Sequence, residues 1–111
     1  MKINKFDVAW TKSAANDLEE IIEYISNDSV ESALNILTEI KEKTDKLCSF
    51  PERGRIVPEL KLHNITNYRE IIYSVWKLIY RIENDNVYVM TVIEGRRNIE
   101  DVLLNRLLRK N

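Results

Sequence analysis

Apolar residues recur three or four apart from Ala14 onward, at Ala14, Leu18, Ile21, Ile22 and Ile25, while Asp17, Glu19, Glu20 and Glu23 take the positions between. That spacing predicts an amphipathic helix with one face in a core. Residues 6–10 carry aromatic and β-branched side chains and end before Thr11, a residue suited to cap the helix that follows, so a short first strand is expected there. Asn27 and Asp28 interrupt the pattern, and Asp28 with Glu31 three residues on has the form of a capping box opening a second helix. Its stripe runs through Val30, Ala33, Leu34, Leu37, Ile40, Thr44 and Leu47. With so brief a connection, the two helices are expected to form an antiparallel hairpin.

Phe50, Pro51 and Gly54 end the helical pattern. The stretch up to Asn67, with Pro58 and no sustained periodicity, reads as loop or at best a frayed strand. Two β-rich runs follow, Arg69–Ile82 and Val87–Ile93, on either side of the polar turn Glu83, Asn84, Asp85, Asn86. The first run is too long for an ordinary strand of about 5–6 residues. It divides near Ser74, giving three consecutive antiparallel strands in a meander. After Gly95, the positions Ile99, Val102, Leu103, Arg106 and Leu107 return to helical spacing and predict a final helix. The order β, α, α, β, β, β, α describes an α+β domain with a helical hairpin on one side of a small, mainly antiparallel sheet.

Composition narrows the picture. At 111 residues and 13.1 kDa, residues 1–111 are expected to form one domain, with no separate cofactor domain expected among them. The 44% apolar and 32% charged residues suit a soluble core-and-surface chain. Cys48 is the single cysteine and His63 the single histidine, so there is neither an internal disulfide nor a Cys/His metal cluster, and no metal is expected. The only glycines, Gly54 and Gly95, stand apart, so no Gly-rich loop cradles a phosphate, and no serine sits in a nucleophile elbow. No cofactor is expected. No signal peptide or membrane-spanning run is visible, and a cytoplasmic location is the expectation.

The formal net charge of −1 conceals an asymmetry. Residues 1–50 hold six lysines and no arginine against ten acids, a balance of −4; residues 51–111 hold eight arginines and three lysines against eight acids, a balance of +3. Arginine's planar fork suits phosphate and carboxylate, and all of it lies in the second half. Arg69 and Arg81 fall near strand ends, Arg53 and Arg55 in the preceding loop, and Arg96 and Arg97 after the last strand. Strand ends of a small meander can converge on one concave face, a cationic cradle for RNA phosphate, an acidic patch or an acidic peptide. Pairing with Glu52, Glu70, Glu83 and Glu94 is the alternative. Tyr68, Tyr73, Tyr80 and Tyr88 fit half-buried strand positions better than acid/base roles.

Four segments carry a family resemblance across nearly the whole chain: Trp10-Thr11 leading into Ala14, Ala15, Asp17 and Leu18; Phe50-Pro51 through Gly54-Arg55; Tyr68-Arg69-Glu70 with Leu78-Ile79-Tyr80-Arg81-Ile82; and Val87-Tyr88-Val89 with Gly95-Arg96-Arg97-Asn98. In this order and spacing the sequence resembles the RelE/ParE superfamily of bacterial toxins from type II toxin-antitoxin pairs, also known as plasmid stabilisation proteins. The resemblance implies a RelE/ParE-like fold and a growth-inhibiting toxin held inactive by a cognate antitoxin, a partly disordered protein that folds across the toxin surface. RelE-like members cut messenger RNA on the ribosome; ParE-like members poison DNA gyrase.

Two departures favour the ParE-like branch. Where RelE-like toxins place a tyrosine or histidine after the arginine of the last strand, this chain reads Asn98, Ile99, Glu100, Asp101, Val102, Leu103. At the start of the third strand of the chain, after Trp76, Lys77 stands where an arginine is frequent in the family, and lysine lacks the bidentate fork. As a ribosome-dependent endoribonuclease, the chain would use Arg69, Lys77, Arg81 and Arg97. As a ParE-like toxin, it would offer Arg53, Arg55, Arg96 and Arg97 to antitoxin or target. A third alternative is a homologue that binds antitoxin without toxicity.

Overall fold

In the computed structural model, Thr11 starts the first helix as its sequence position suggests. Its backbone is extended and its hydroxyl accepts a hydrogen bond from the Ala14 N–H at 3.2 Å, satisfying one of the first-turn donors. The structure describes residues 5–95, 101, 102 and 104–106. Strand β1, Asp7–Trp10, leads into helix α1, Lys12–Ser26. Helix α2 spans Val30–Asp45, and its cap is Ser29, whose hydroxyl accepts from Ser32 N–H at 3.1 Å. The cap therefore lies one residue beyond the Asp28 of the expected capping box: an extended backbone and a short hydroxyl at Ser29 serve the first turn directly. A 3-10 turn, Lys46–Cys48, prolongs α2.

The 50–67 stretch is more ordered than its lack of periodicity suggests. It contains a two-residue strand β2, Arg55–Ile56, and a one-turn helix α3, Pro58–Lys61, with proline in its first turn. Elements this short carry no periodic signal. The long β-rich run divides as expected, into β3, Tyr68–Tyr73, and β4, Trp76–Glu83, and β5 spans Asn86–Glu94. Ser74 and Asn84 open the two intervening turns with positive φ, 55° at each.

All five strands form one sheet in the order β1-β5-β4-β3-β2, antiparallel except for β1 on β5. The meander is thus extended by β1 at one edge and β2 at the other. Met90 is the extra residue of a bulge, because Val89 pairs with Tyr80 while Thr91 pairs with Ile79. The helical hairpin covers one face, where Leu18 and Ile40 meet Leu78 and Val92, and Leu47 meets Tyr80 and Val87. On the opposite face, Val57 and Leu60 pack on Tyr68, Ile79 and Ile93.

β5 outruns β1, which ends opposite Val89. The start of α1 covers the exposed edge: Thr11 N–H donates to Val89 O at 3.0 Å, and Asp17 Oδ2 accepts from Val92 N–H at 3.1 Å and Thr91 Oγ1 at 2.7 Å. Arg106 closes a fork on the same carboxylate, at 2.7 and 2.8 Å, and bonds Thr91 Oγ1 at 2.6 Å. The Asp17 hydrogen bonds raise the Arg106 pKa further above its ordinary value. Of the expected final helix, residues 101, 102 and 104–106 are helical, and Ile99, Leu103 and Leu107 lie outside the described residues.

Candidate functional site

Strand alternation decides where the cations of β3 and β4 point. Arg69 pairs across the ladder with Tyr80, and both side chains project on the hairpin face. There they meet the turn 51–54. The buried Tyr80 hydroxyl donates to Pro51 O at 2.6 Å and accepts from Gly54 N–H at 3.0 Å. Arg69 Nη1 donates to Gly54 O at 2.7 Å and Glu52 O at 3.3 Å, with Glu52 Oε2 3.7 Å from Nη2. Gly54 admits no side chain, since a Cβ there would lie 2.6 Å from Glu70 O and 2.7 Å from the Tyr80 hydroxyl. Burial raises the Tyr80 pKa, against the lowering effect of the Gly54 N–H, Arg69 and Arg53.

The neighbouring positions on these strands send their side chains to the other face. The Glu70 carboxylate is completely buried, with Arg55 Nε at 2.7 Å and Lys77 Nζ at 3.8 Å. Glu59 stands 4.0 Å from the same lysine. One oxygen of each glutamate, Oε1, is buried without a hydrogen-bond partner. Farther along β4, Arg81 Nη1 lies 3.0 Å from Glu83 Oε2, and its guanidinium sits over the Tyr88 ring at 5.1 Å. Burial raises the pKa of Tyr68 beside it, Arg81 opposing and Glu83 reinforcing the shift.

The expected single cradle is therefore divided. Arg69 belongs to the hairpin face, whereas Arg55, Lys77 and Arg81 lie on the opposite one. Lys77 and Arg81 are four residues apart, about 13 Å along an extended strand. Arg53 is exposed at the turn. Arg96 and Arg97 lie outside the described residues. Three of the acids named as alternative partners do pair with arginine: Glu52 with Arg69, Glu70 with Arg55 and Glu83 with Arg81. Composition missed two features, the structural use of Tyr80 and the burial of Glu70. The alternation of Tyr68, Arg69 and Glu70 was the available signal: it puts Arg69 and Glu70 on opposite faces of any strand.

A separate cavity of about 430 Å³ is lined by Trp10, Leu18, Ile22, Leu37 and Lys41 among others, where β1 meets the helical hairpin. Among the described residues no group of three or more His, Cys, Asp or Glu is placed to hold a metal ion, and no helix is long and apolar enough to cross a membrane.

A family model for the ParE toxin of the type II toxin-antitoxin system parDE matches residues 8–99. Toxin ParE3 of Caulobacter vibrioides is 25% identical over 93 residues, which make up 83% of this chain and 89% of that protein. Among solved structures, the chromosomal ParDE toxin-antitoxin system of P. aeruginosa superposes with a TM-score of 0.65 at 19% identity, over 82% of this chain and 97% of the other. The RelBE2 toxin-antitoxin complex of Mycobacterium tuberculosis gives 0.54 at 21% identity, over 84% and 94%. The α+β architecture of this chain is the fold they share.

Proposed function

The chain belongs to the ParE family of type II toxin-antitoxin toxins, and from that premise we propose that it inhibits DNA gyrase and is neutralised by a cognate antitoxin. The observation that carries the choice of a protein target over RNA is the Glu70 carboxylate, buried between Arg55 and Lys77. Holding a scissile phosphate and its developing charge calls for cations aimed at one point and not already neutralised. Here Lys77 faces two carboxylates and Arg81 a third, while Arg69 is turned to the other side of the sheet bonding main-chain oxygens. Tyr68 and Tyr88 share the Lys77 face, but the raised Tyr68 pKa makes that hydroxyl a poorer base near neutrality. A nuclease site built from Arg69, Lys77, Arg81 and Arg97 gains no support from this arrangement.

The apolar cavity beside the hairpin suits an amphipathic antitoxin segment laid between β1 and the helices, with Trp10, Leu18, Ile22 and Leu37 as its floor. Burying the segment's apolar side chains there would offset the ordering cost of a partner that is disordered when free.

The test is a supercoiling assay with purified gyrase, run beside induction of the chain in growing cells. Inhibited supercoiling, DNA-damage signalling and filamentation are expected, each relieved by co-expression of the cognate antitoxin. Normal supercoiling together with arrested translation and shortened transcripts would replace this function by ribosome-dependent cleavage. Unimpaired growth would leave a non-toxic antitoxin-binding homologue.

A further inference from the structure

Two inward-facing side chains on neighbouring strands hold one surface turn. Tyr80 reaches from β4 and Arg69 from β3, and together they make four hydrogen bonds to the main chain of 51–54. Arg53 N–H bonds back to Phe50 O at 3.2 Å, and Phe50 N–H to Lys46 O at 3.1 Å, so the turn is also closed on itself and onto the end of α2. A loop held in this way has little conformational freedom left to lose on binding.

What the turn displays is an aromatic ring and an arginine. Phe50 is 67% exposed although its backbone is fixed on both sides. Arg53 lines two recesses, one of about 360 Å³ with Ser49, Phe50, Pro51 and Glu52, the other of about 280 Å³ with Lys43, Arg55 and Ile72 among its walls. The charge balance there is one-sided. Glu52 is answered by Arg69, and Arg55 by Glu70, whereas Arg53 forms no ion pair among the described residues, and Lys43 adds a second cation at the rim. An exposed aromatic beside an arginine on a preorganised scaffold has the make-up of an interface anchor.

We propose that the Phe50–Arg53 turn is the contact by which the toxin engages its protein target, Phe50 filling an apolar socket while Arg53 meets carboxylates at the rim of that socket. The surface rests on the toxin function proposed above and is separate from the cavity assigned there to the antitoxin, which lies against β1 and the hairpin. It also gives Arg69 and Tyr80 positioning roles: they touch no target and fix the shape of the turn.

The experiment compares wild type with Phe50→Ala, Arg53→Glu and, as an exposed apolar control away from the turn, Leu62→Ala. Leu62 is 83% exposed. Each purified chain is melted to confirm folding, assayed against gyrase supercoiling, and induced in cells to score growth arrest. Phe50→Ala and Arg53→Glu should each raise the half-inhibitory concentration roughly tenfold or more, as loss of a central contact does, and relieve growth arrest in step. Their melting curves and their binding to the cognate antitoxin should match wild type, and Leu62→Ala should change neither readout. Undiminished growth arrest by both variants, or an equal loss of antitoxin binding, would overturn the proposal. Wild type that arrests growth without inhibiting gyrase would remove the gyrase function alone, since growth arrest by the variants still decides the role of the turn. Wild type without toxicity would overturn both.

Discussion

Beneath the helical hairpin, Arg69 and the Tyr80 hydroxyl spend their hydrogen bonds on main-chain atoms of 51–54; across the sheet, Arg55, Lys77 and Arg81 face carboxylates. Apart from the loose 3.7 Å pair of Arg69 with the exposed Glu52 carboxylate, the bonds of the first face go to main-chain atoms. A carbonyl accepts a hydrogen bond without cancelling the donor's charge, so that face converts its polar groups into the shape of a turn. A carboxylate neutralises, so the second face converts its cations into a balanced network. The comparison shows why Arg55, Arg69, Lys77 and Arg81, close along the chain, do not aim at one point: Arg69 lies on one face of the sheet and the other three on the opposite face. It also locates the protein's largest sensitivity in a tyrosine.

Replacing Tyr80 should have the largest effect. Tyr80→Ala removes a fully buried ring between Leu47 and Val87 as well as both hydroxyl bonds, and a loss of about 3–5 kcal/mol is expected for an aromatic truncated in a core. Tyr80→Phe keeps the ring and leaves the buried Gly54 N–H without its acceptor, at about 1–3 kcal/mol. Urea unfolding of the two variants separates packing from turn-holding. A Phe variant as stable as wild type would break the hairpin-face half of the comparison.

On the other face, Glu70→Gln leaves Lys77 with Glu59 alone and Arg55 without its ion pair. Removing one member of a buried pair is costly, but Arg55 is largely exposed and can return to water, so about 1–3 kcal/mol is expected. The same change should confer single-stranded RNA binding that weakens with salt, measured by filter retention across a salt series. Unchanged RNA affinity would show that something other than Glu70 keeps phosphate from that face.

Alkaline titration samples both faces at once. Burial raises the pKa of Tyr68 and of Tyr80 above the ordinary 10.0. The folded chain therefore keeps protons that the unfolded chain gives up first. The stabilisation from this source is complete below about pH 10 and is lost as pH rises through the folded-state values. Tyr68→Phe and Tyr80→Phe should each flatten the fall in melting temperature above that point. A slope unchanged in both variants would mean that neither phenol drives alkaline unfolding.

The parts of the fold legible in the sequence were those with a period. The helices announced themselves through Leu18, Ile22, Leu37 and Ile40, and the division of the long β run at Ser74 followed from strand length alone. The strand β2 and helix α3 occupy two and four residues, too few to repeat any pattern, and β1 finds its parallel partner β5 across some eighty positions of chain. The site was harder to read for a different reason. Clustering of arginines along the sequence does not fix their direction, and the pleat sends Arg69 and Glu70 to opposite sides. Which carboxylate would be buried was likewise undetermined: Glu70 disappears because α3 lies over that face, and α3 was the element without a signal.

The smallest effect is expected at Arg81, and it tests the comparison most finely because its partner Glu83 is as short a distance away as many strong pairs. At 3.0 Å the geometry is good, but the two side chains are 34% and 52% exposed, so water screens the attraction and competes for both ends. Pairs of this kind contribute about 0–1 kcal/mol, and the contact with the Tyr88 face adds no more than about 0.5–1 kcal/mol at such exposure. Against these stands the buried Nε, which has no hydrogen-bond partner and whose removal relieves a cost. Arg81→Gln should therefore change stability by less than about 1 kcal/mol, while Arg69→Gln, which abandons two carbonyls of the held turn, should cost about 1.5–3 kcal/mol. Equal losses at the two arginines in urea unfolding would mean that bonds to main-chain oxygen and bonds to exposed carboxylate are interchangeable here, and the distinction between the faces would be lost.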